Sequence, residues 1–151
     1  MKRFTFSLQP VLDVRERRER ERMQRLAQAQ LELQQAQERL EELDRERQGE
    51  TRVVRERHSQ LELEELQAYY AHLEHLAAES ACQRERVAEA QRRVETSRTE
   101  LIAASTDKRV VERLKERRHE DFLHEERLAE QRQVDDDNAR VESRVRERGK
   151  T

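Results

Sequence analysis

Four side chains able to ligate a metal fall on one helical stripe. They are His72, His75, Glu79 and Cys82, spaced three, four and three apart. Imidazole, carboxylate and thiolate groups at such spacing are zinc-type ligands. Successive turns of a straight helix lie about 5.4 Å apart, which keeps four ligands on one helix from closing a tetrahedron around an ion. The stripe also borders an apolar row at Leu73, Leu76 and Ser80, and flanking a packed seam accounts for it. No metal or other cofactor is expected.

Catalytic constellations are missing in a similar way. The two glycines, Gly49 and Gly149, stand 100 residues apart, and no GxxxxGK[ST] loop exists to cradle a phosphate. No G-x-S-x-G elbow occurs, and Cys82 has no plausible histidine-lined pocket. Carboxylates abound, but on solvated helical faces. The chain does not read as an enzyme.

A basic run before a leucine repeat raises the question of nucleic acid. Residues 13–25 carry six Arg, and Leu26, Leu33 and Leu40 follow at intervals of seven. Glu16, Glu19 and Glu21 interrupt the run and would repel phosphates, so no nucleic-acid partner is expected.

These residues must be positioned by long helices. Leu26, Leu33 and Leu40 are each followed three residues later by Ala29, Ala36 and Leu43, the alternation of a coiled-coil seam. A second row answers it: Leu66, Leu73, Ser80, Val87, Val94 and Leu101, with Tyr69, Leu76, Gln83, Ala90, Ser97 and Ala104 three residues after each. Charged residues make up 44% of the chain, hydrophobic ones 33% and aromatic ones 3%. That is too little for an ordinary globular core and too periodic for disorder. The fold class expected is all-α, a long two-helix antiparallel coiled-coil hairpin forming a single elongated unit over 1–151.

Helix 1 is expected over about 8–50, with Ser7 as its cap and Pro10 in its first turn, where a missing N–H costs nothing. Phe4 and Phe6 either cover the base of the hairpin or anchor a partner. Residues 13–25 should be a solvated or partner-covered helix with helix-stabilising pairs Glu16–Arg20 and Glu21–Arg25. The bend is expected over about 49–59, because Gly49 weakens a helix and Ser59 with Glu62 matches a capping box. Helix 2 should then run over about 60–145, and Gly149, Lys150 and Thr151 should fray. Ser80, Gln83 and Ser97 thin its seam.

The net charge of -2 hides a polarity along the chain. Residues 58–83 hold five Glu and neither Lys nor Arg, while residues 107–118 hold six basic and three acidic groups. Folding back at the middle sets an acidic bend against basic ends, which selects partners and their orientation. Tyr69, Tyr70, Leu73 and Leu76 lie in the acidic stretch; Tyr70 stands beside the seam, where an exposed aromatic ring makes a binding anchor. The lone Cys82 allows no disulfide within the chain and suits a reducing compartment. No apolar run reaches membrane-spanning length and no signal-peptide h-region follows Met1-Lys2-Arg3, so the cytoplasm is the expected location.

Two blocks give the chain a resemblance to the flagellar export protein FliJ family. The first is Phe4-Thr5-Phe6-Ser7-Leu8-Gln9-Pro10-Val11-Leu12-Asp13-Val14-Arg15-Glu16, which matches F-x-F-x-L-Q-x-V-L-D-x-R-E. The second runs from Asp107-Lys108-Arg109-Val110-Val111-Glu112-Arg113-Leu114-Lys115-Glu116 to Arg118, and an acidic–basic tail follows it. The resemblance implies a stalk similar to the gamma subunit of F-type ATP synthases, seated in a hexameric export ATPase (FliI-like). It implies a link to the cytoplasmic domain of the export gate (FlhA-like) and an escort role for export chaperones. The protein would be cytoplasmic and peripheral at the inner membrane, without inserting into it.

By this resemblance the paired ends face the ATPase ring, through Phe4, Phe6, Leu8, Leu12, Arg15, Lys108, Arg109, Arg113, Leu114, Lys115, Arg117 and Phe122. The gate contact falls by rough position on Leu43, Tyr69, Tyr70, Leu73 and Leu76. Glu46 and Glu50 stand where some members carry aromatic residues on helix 1. Two other readings fit the heptads: the stalk of a virulence type III secretion system, and a homodimeric coiled coil with no ATPase partner.

Overall fold

The computed structural model describes residues 3–149. Two helices make up the fold, α1 (Gln9–Arg57) and α2 (Leu63–Arg148), and no strand occurs among the described residues. The chain groups into two compact units. One joins the N-terminal stretch up to Glu16 with the stretch from Thr106 onward; the other is Arg17–Ser105.

In the second unit α1 and α2 form an antiparallel hairpin whose register is marked by polar bridges. Ser105 Oγ donates to Glu19 Oε1 at 2.6 Å, and Arg22 Nη1 to Glu100 Oε2 at 2.6 Å. Gln83 Nε2 donates to the Ala36 carbonyl at 2.9 Å, Arg39 Nη2 to Glu79 at 3.0 Å, and His72 stands 3.6 Å from Glu46. As numbers rise on α1 they fall on α2. This register sets Leu43 level with Ser80, Leu33 with Ala90 and Leu26 with Ser97, so a large residue on one helix meets a small one on the other. That is how a seam of alternating Leu and Ala packs.

Every expected seam position on α2 from Leu66 to Ala104 is buried or half-buried, and so are Leu26, Ala29, Leu33, Ala36, Leu40 and Leu43 on α1. Leu43 and Leu76 are 0% and 2% exposed and form the centre of the core. Ser80, also fully buried, has a hydroxyl with no hydrogen-bond partner.

The structure corrects several local expectations. α1 does not end at Gly49 but continues to Arg57. A methyl group placed on Gly49 would meet nothing within 4 Å, so this glycine only weakens the helix by about 1 kcal/mol and does not turn it. Glu50 and Val54 carry the seam onward, half-buried and buried. The capping box is displaced from Ser59–Glu62 to Glu62–Glu65. Glu62 is the N-cap: its carbonyl accepts from the Leu66 N–H at 2.9 Å, and its own N–H donates to Glu65 Oε2 at 3.1 Å. At the other helix start the N-cap is Leu8 rather than Ser7, its carbonyl accepting from Leu12 at 3.0 Å. Pro10 sits in the first turn.

Residues 13–25 are solvated over most of their length, as expected, but the seam runs through them at Glu19, 9% exposed, and at half-buried Arg22. Neither of the expected pairs Glu16–Arg20 and Glu21–Arg25 forms among the described residues; the charged side chains that do pair here are Glu19 and Arg22, which reach across to α2. The expected fraying of Lys150 and Thr151 falls outside the described residues. From residue 127 on, every described side chain is exposed although the backbone stays helical to Arg148.

Three substitutions check this core by denaturation followed by circular dichroism. Leu43→Ala should cost about 2–5 kcal/mol, whereas Leu63→Ala, at a site 71% exposed, should stay within about 0.5 kcal/mol. Ser80→Ala should raise stability by roughly 1 kcal/mol, since it removes a buried hydroxyl that makes no bond.

Candidate partner-binding surfaces

The unit formed by both chain ends gathers most of the residues expected at an ATPase ring. Phe4 packs edge-on against His119, with ring centroids 4.9 Å apart and planes at 76°, and lies 5.6 Å from the Phe122 ring. Lys115 Nζ donates to Gln9 Oε1 at 2.8 Å, and Arg15 Nη1 donates to the Asp107 carbonyl at 2.6 Å. Leu12 and Val111, 3% and 5% exposed, are the apolar layer between these bridges. Phe4 thus covers part of α2 in this unit and, half-buried, keeps part of its ring exposed.

Burial sorts these residues by what they can offer. Leu12 has no surface left for a partner. Phe4, Phe6, Arg15, Lys108, Leu114, Lys115 and Phe122 are half-buried. Leu8, Arg109, Arg113 and Arg117 are exposed. The last three stand at successive turns of α2, so their guanidinium groups line one stripe. None of the three forms an ion pair with another described residue. A cationic stripe of this kind attracts a carboxylate-bearing surface at a distance and positions it on contact.

The second surface lies beside the bend. A groove of about 340 Å³ is lined by Thr51, Val54, Arg55 and His58 of α1 and its end, and by Tyr70 and Leu73 of α2. Tyr70 is 51% exposed, as its place beside the seam predicts. Tyr69 and Leu73 are half-buried, whereas Leu43 and Leu76 are core and present nothing to a partner. The α1 wall of the groove was missed by sequence reasoning. Continuing the seam from Leu43 by seven and then four residues reaches Glu50 and Val54 and would have found it. A neighbouring concavity of about 380 Å³ is lined by Arg47, Gln48, Thr51, Arg52 and Arg55. It makes this side of the bend basic, against the acidic first turn of α2 at Glu64 and Glu65.

The residues with metal-ligand chemistry go elsewhere. His72 faces Glu46 across the seam, His75 stands 3.7 Å from Glu79, and Glu79 accepts from Arg39. No group of three or more His, Cys, Asp or Glu gathers among the described residues. Cys82 is exposed and carries no disulfide.

The charges along the hairpin shift one another in the expected sense. Hydrogen bonds to Glu79 and Glu42 raise Arg39 further above its ordinary value. The hydrogen bond from Arg92 is the main cause that holds the Glu89 carboxyl below the usual range. A lowered carboxylate favours the fold above its unfolded value, and that contribution is lost only as pH falls through the lowered one. Both side chains lie on the exposed surface, so they tune it and add little to the core.

No described helix is long and apolar enough to cross a membrane. Comparison with curated proteins and with solved structures finds no match. A family model described as the flagellar FliJ protein matches residues 4–147. That span takes in both quoted blocks, both helices and the bend, and nearly the whole chain: the protein belongs to the flagellar FliJ family.

Proposed function

We propose that the chain is the non-enzymatic stalk of the flagellar type III protein export apparatus. In this reading the unit of both chain ends seats in the hexameric export ATPase. The groove beside the bend meets the cytoplasmic domain of the export gate, and export chaperones are escorted along the way. The protein works in the cytoplasm, held peripherally at the inner membrane by the apparatus it joins. The observation that carries the reading is the family match over residues 4–147, because it spans both proposed contact surfaces together.

The physics of the two surfaces supports it. The stripe of Arg109, Arg113 and Arg117 sits in the unit that holds both chain ends, and every described side chain of the helix from residue 127 on is exposed. A lone helix in water is marginal, so such a stretch gains order when a partner packs on it. At the bend, the exposed Tyr70 ring beside an apolar groove suits a single aromatic or aliphatic anchor from the gate. A homodimeric coiled coil draws no comparable support, since α1 and α2 already satisfy each other within the chain.

Two variants test the proposal. Charge reversal of Arg109, Arg113 and Arg117 to Glu should leave helicity and stability within about 0.5 kcal/mol. It should weaken binding to the cognate export ATPase at least about tenfold and abolish stimulation of its turnover. Unchanged stimulation would remove the stripe from the contact. Lys115 is left out because its bond to Gln9 holds the two helices together. Tyr70→Ala should lower gate affinity in a titration by about 2 kcal/mol or more without changing ATPase stimulation.

A further inference from the structure

We propose that the seam contains a built-in weak segment, formed by Glu19 and Arg22 of α1 facing Ser105 and Glu100 of α2, which opens locally while the rest of the hairpin stays closed. This inference rests on the seam alone and does not depend on any partner. Glu19 stands seven residues before Leu26 and Arg22 seven before Ala29, so both occupy seam positions where an apolar residue is expected to pack. Instead the positions hold a carboxylate, 9% exposed and accepting from Ser105, and a guanidinium bonded to Glu100.

The surroundings offer little apolar surface to compensate. Ala104 is the buried hydrophobic residue of this segment, with Leu26 and Leu101 only half-buried. Farther along the same unit, the seam holds Leu43 and Leu76 at 0% and 2% exposure. Apolar layers of that kind resist water, whereas polar bridges exchange readily with it. The Arg22 and Glu100 side chains are 29% and 42% exposed, so water and salt reach their contact. The segment therefore opens more often than its neighbours, and more often as ionic strength rises. When open, it frees Glu19 and Arg22 to bond elsewhere, so a bound partner can exchange for the in-chain contacts at small cost.

Hydrogen-exchange mass spectrometry on the full chain tests this. Peptides covering residues 17–26 and 97–105 should exchange at least about tenfold faster than those covering 40–54 and 69–76, where Leu40, Leu43, Val54, Tyr69, Leu73 and Leu76 fill the seam, a gap typical of sub-global opening. Raising NaCl from about 0.05 to about 0.5 M should widen the gap, because screening weakens the ion pair. The double variant Glu19→Leu with Arg22→Leu should close it. Glu100→Gln keeps the size and removes the charge, and should speed exchange several-fold in the same two stretches only. Equal protection along the unit would overturn the proposal. So would a gap that neither salt, Glu100→Gln nor the leucine variant alters, because polar bridges would then not be its cause.

Discussion

The structure depends on one constraint: each helix has a narrow apolar row with nothing to cover it except the row on the other helix. With 33% hydrophobic residues, spread over 49 and 86 residues of helix, no second layer is possible. A fully buried leucine contributes about 1.5–3 kcal/mol, so the few that reach the centre, Leu43 and Leu76 above all, outweigh their number. The antiparallel register follows from the same constraint. It sets Leu43, Leu33 and Leu26 of α1 level with serine and alanine on α2, and the polar bridges from Glu19–Ser105 to Glu46–His72 mark it. A slip by one heptad would break all of those bridges at once.

Function then lies in what the seam leaves outside. A two-helix pair has no interior to shape into a pocket, so its chemistry is presented on stripes and at ends. The unit of both chain ends offers the Arg109, Arg113 and Arg117 stripe, and the region of the bend offers Tyr70 and the groove it borders. In the proposed reading both surfaces hold a partner by charge and by one or two anchors rather than by enclosure. Such contacts steer association and can be exchanged. That suits the flagellar export family to which the chain belongs.

Much of this was legible in the sequence, for physical reasons that also mark the limits. The seam was readable because heptad spacing survives substitution: Ser80, Gln83 and Ser97 hold their places on α2 although none is apolar. The charged stretch at residues 13–25 hid its part of the seam because the positions are occupied by Glu19 and Arg22, whose role shows only once Ser105 and Glu100 are set opposite them. The end of α1 misled because Gly49 is a local penalty, overridden by Val54 packing four residues beyond Glu50. Tyr70 was placed correctly as exposed. Leu12, Leu43 and Leu76 were read as partner contacts, yet the residues that most need burial for the fold are the last ones a partner can reach.

The most direct test of the account is cysteine cross-linking of the paired helices in a Cys82→Ser background. Arg39→Cys with Glu79→Cys, bridged by a short bismaleimide, places the reporter across an ion pair of the proposed register. The account predicts rapid cross-linking within single chains, at a rate independent of protein concentration. It predicts none for Arg39→Cys with Arg98→Cys, which this register sets far apart. Cross-links that join two chains and grow with concentration would contradict it, because the seam would then be closed by a second copy.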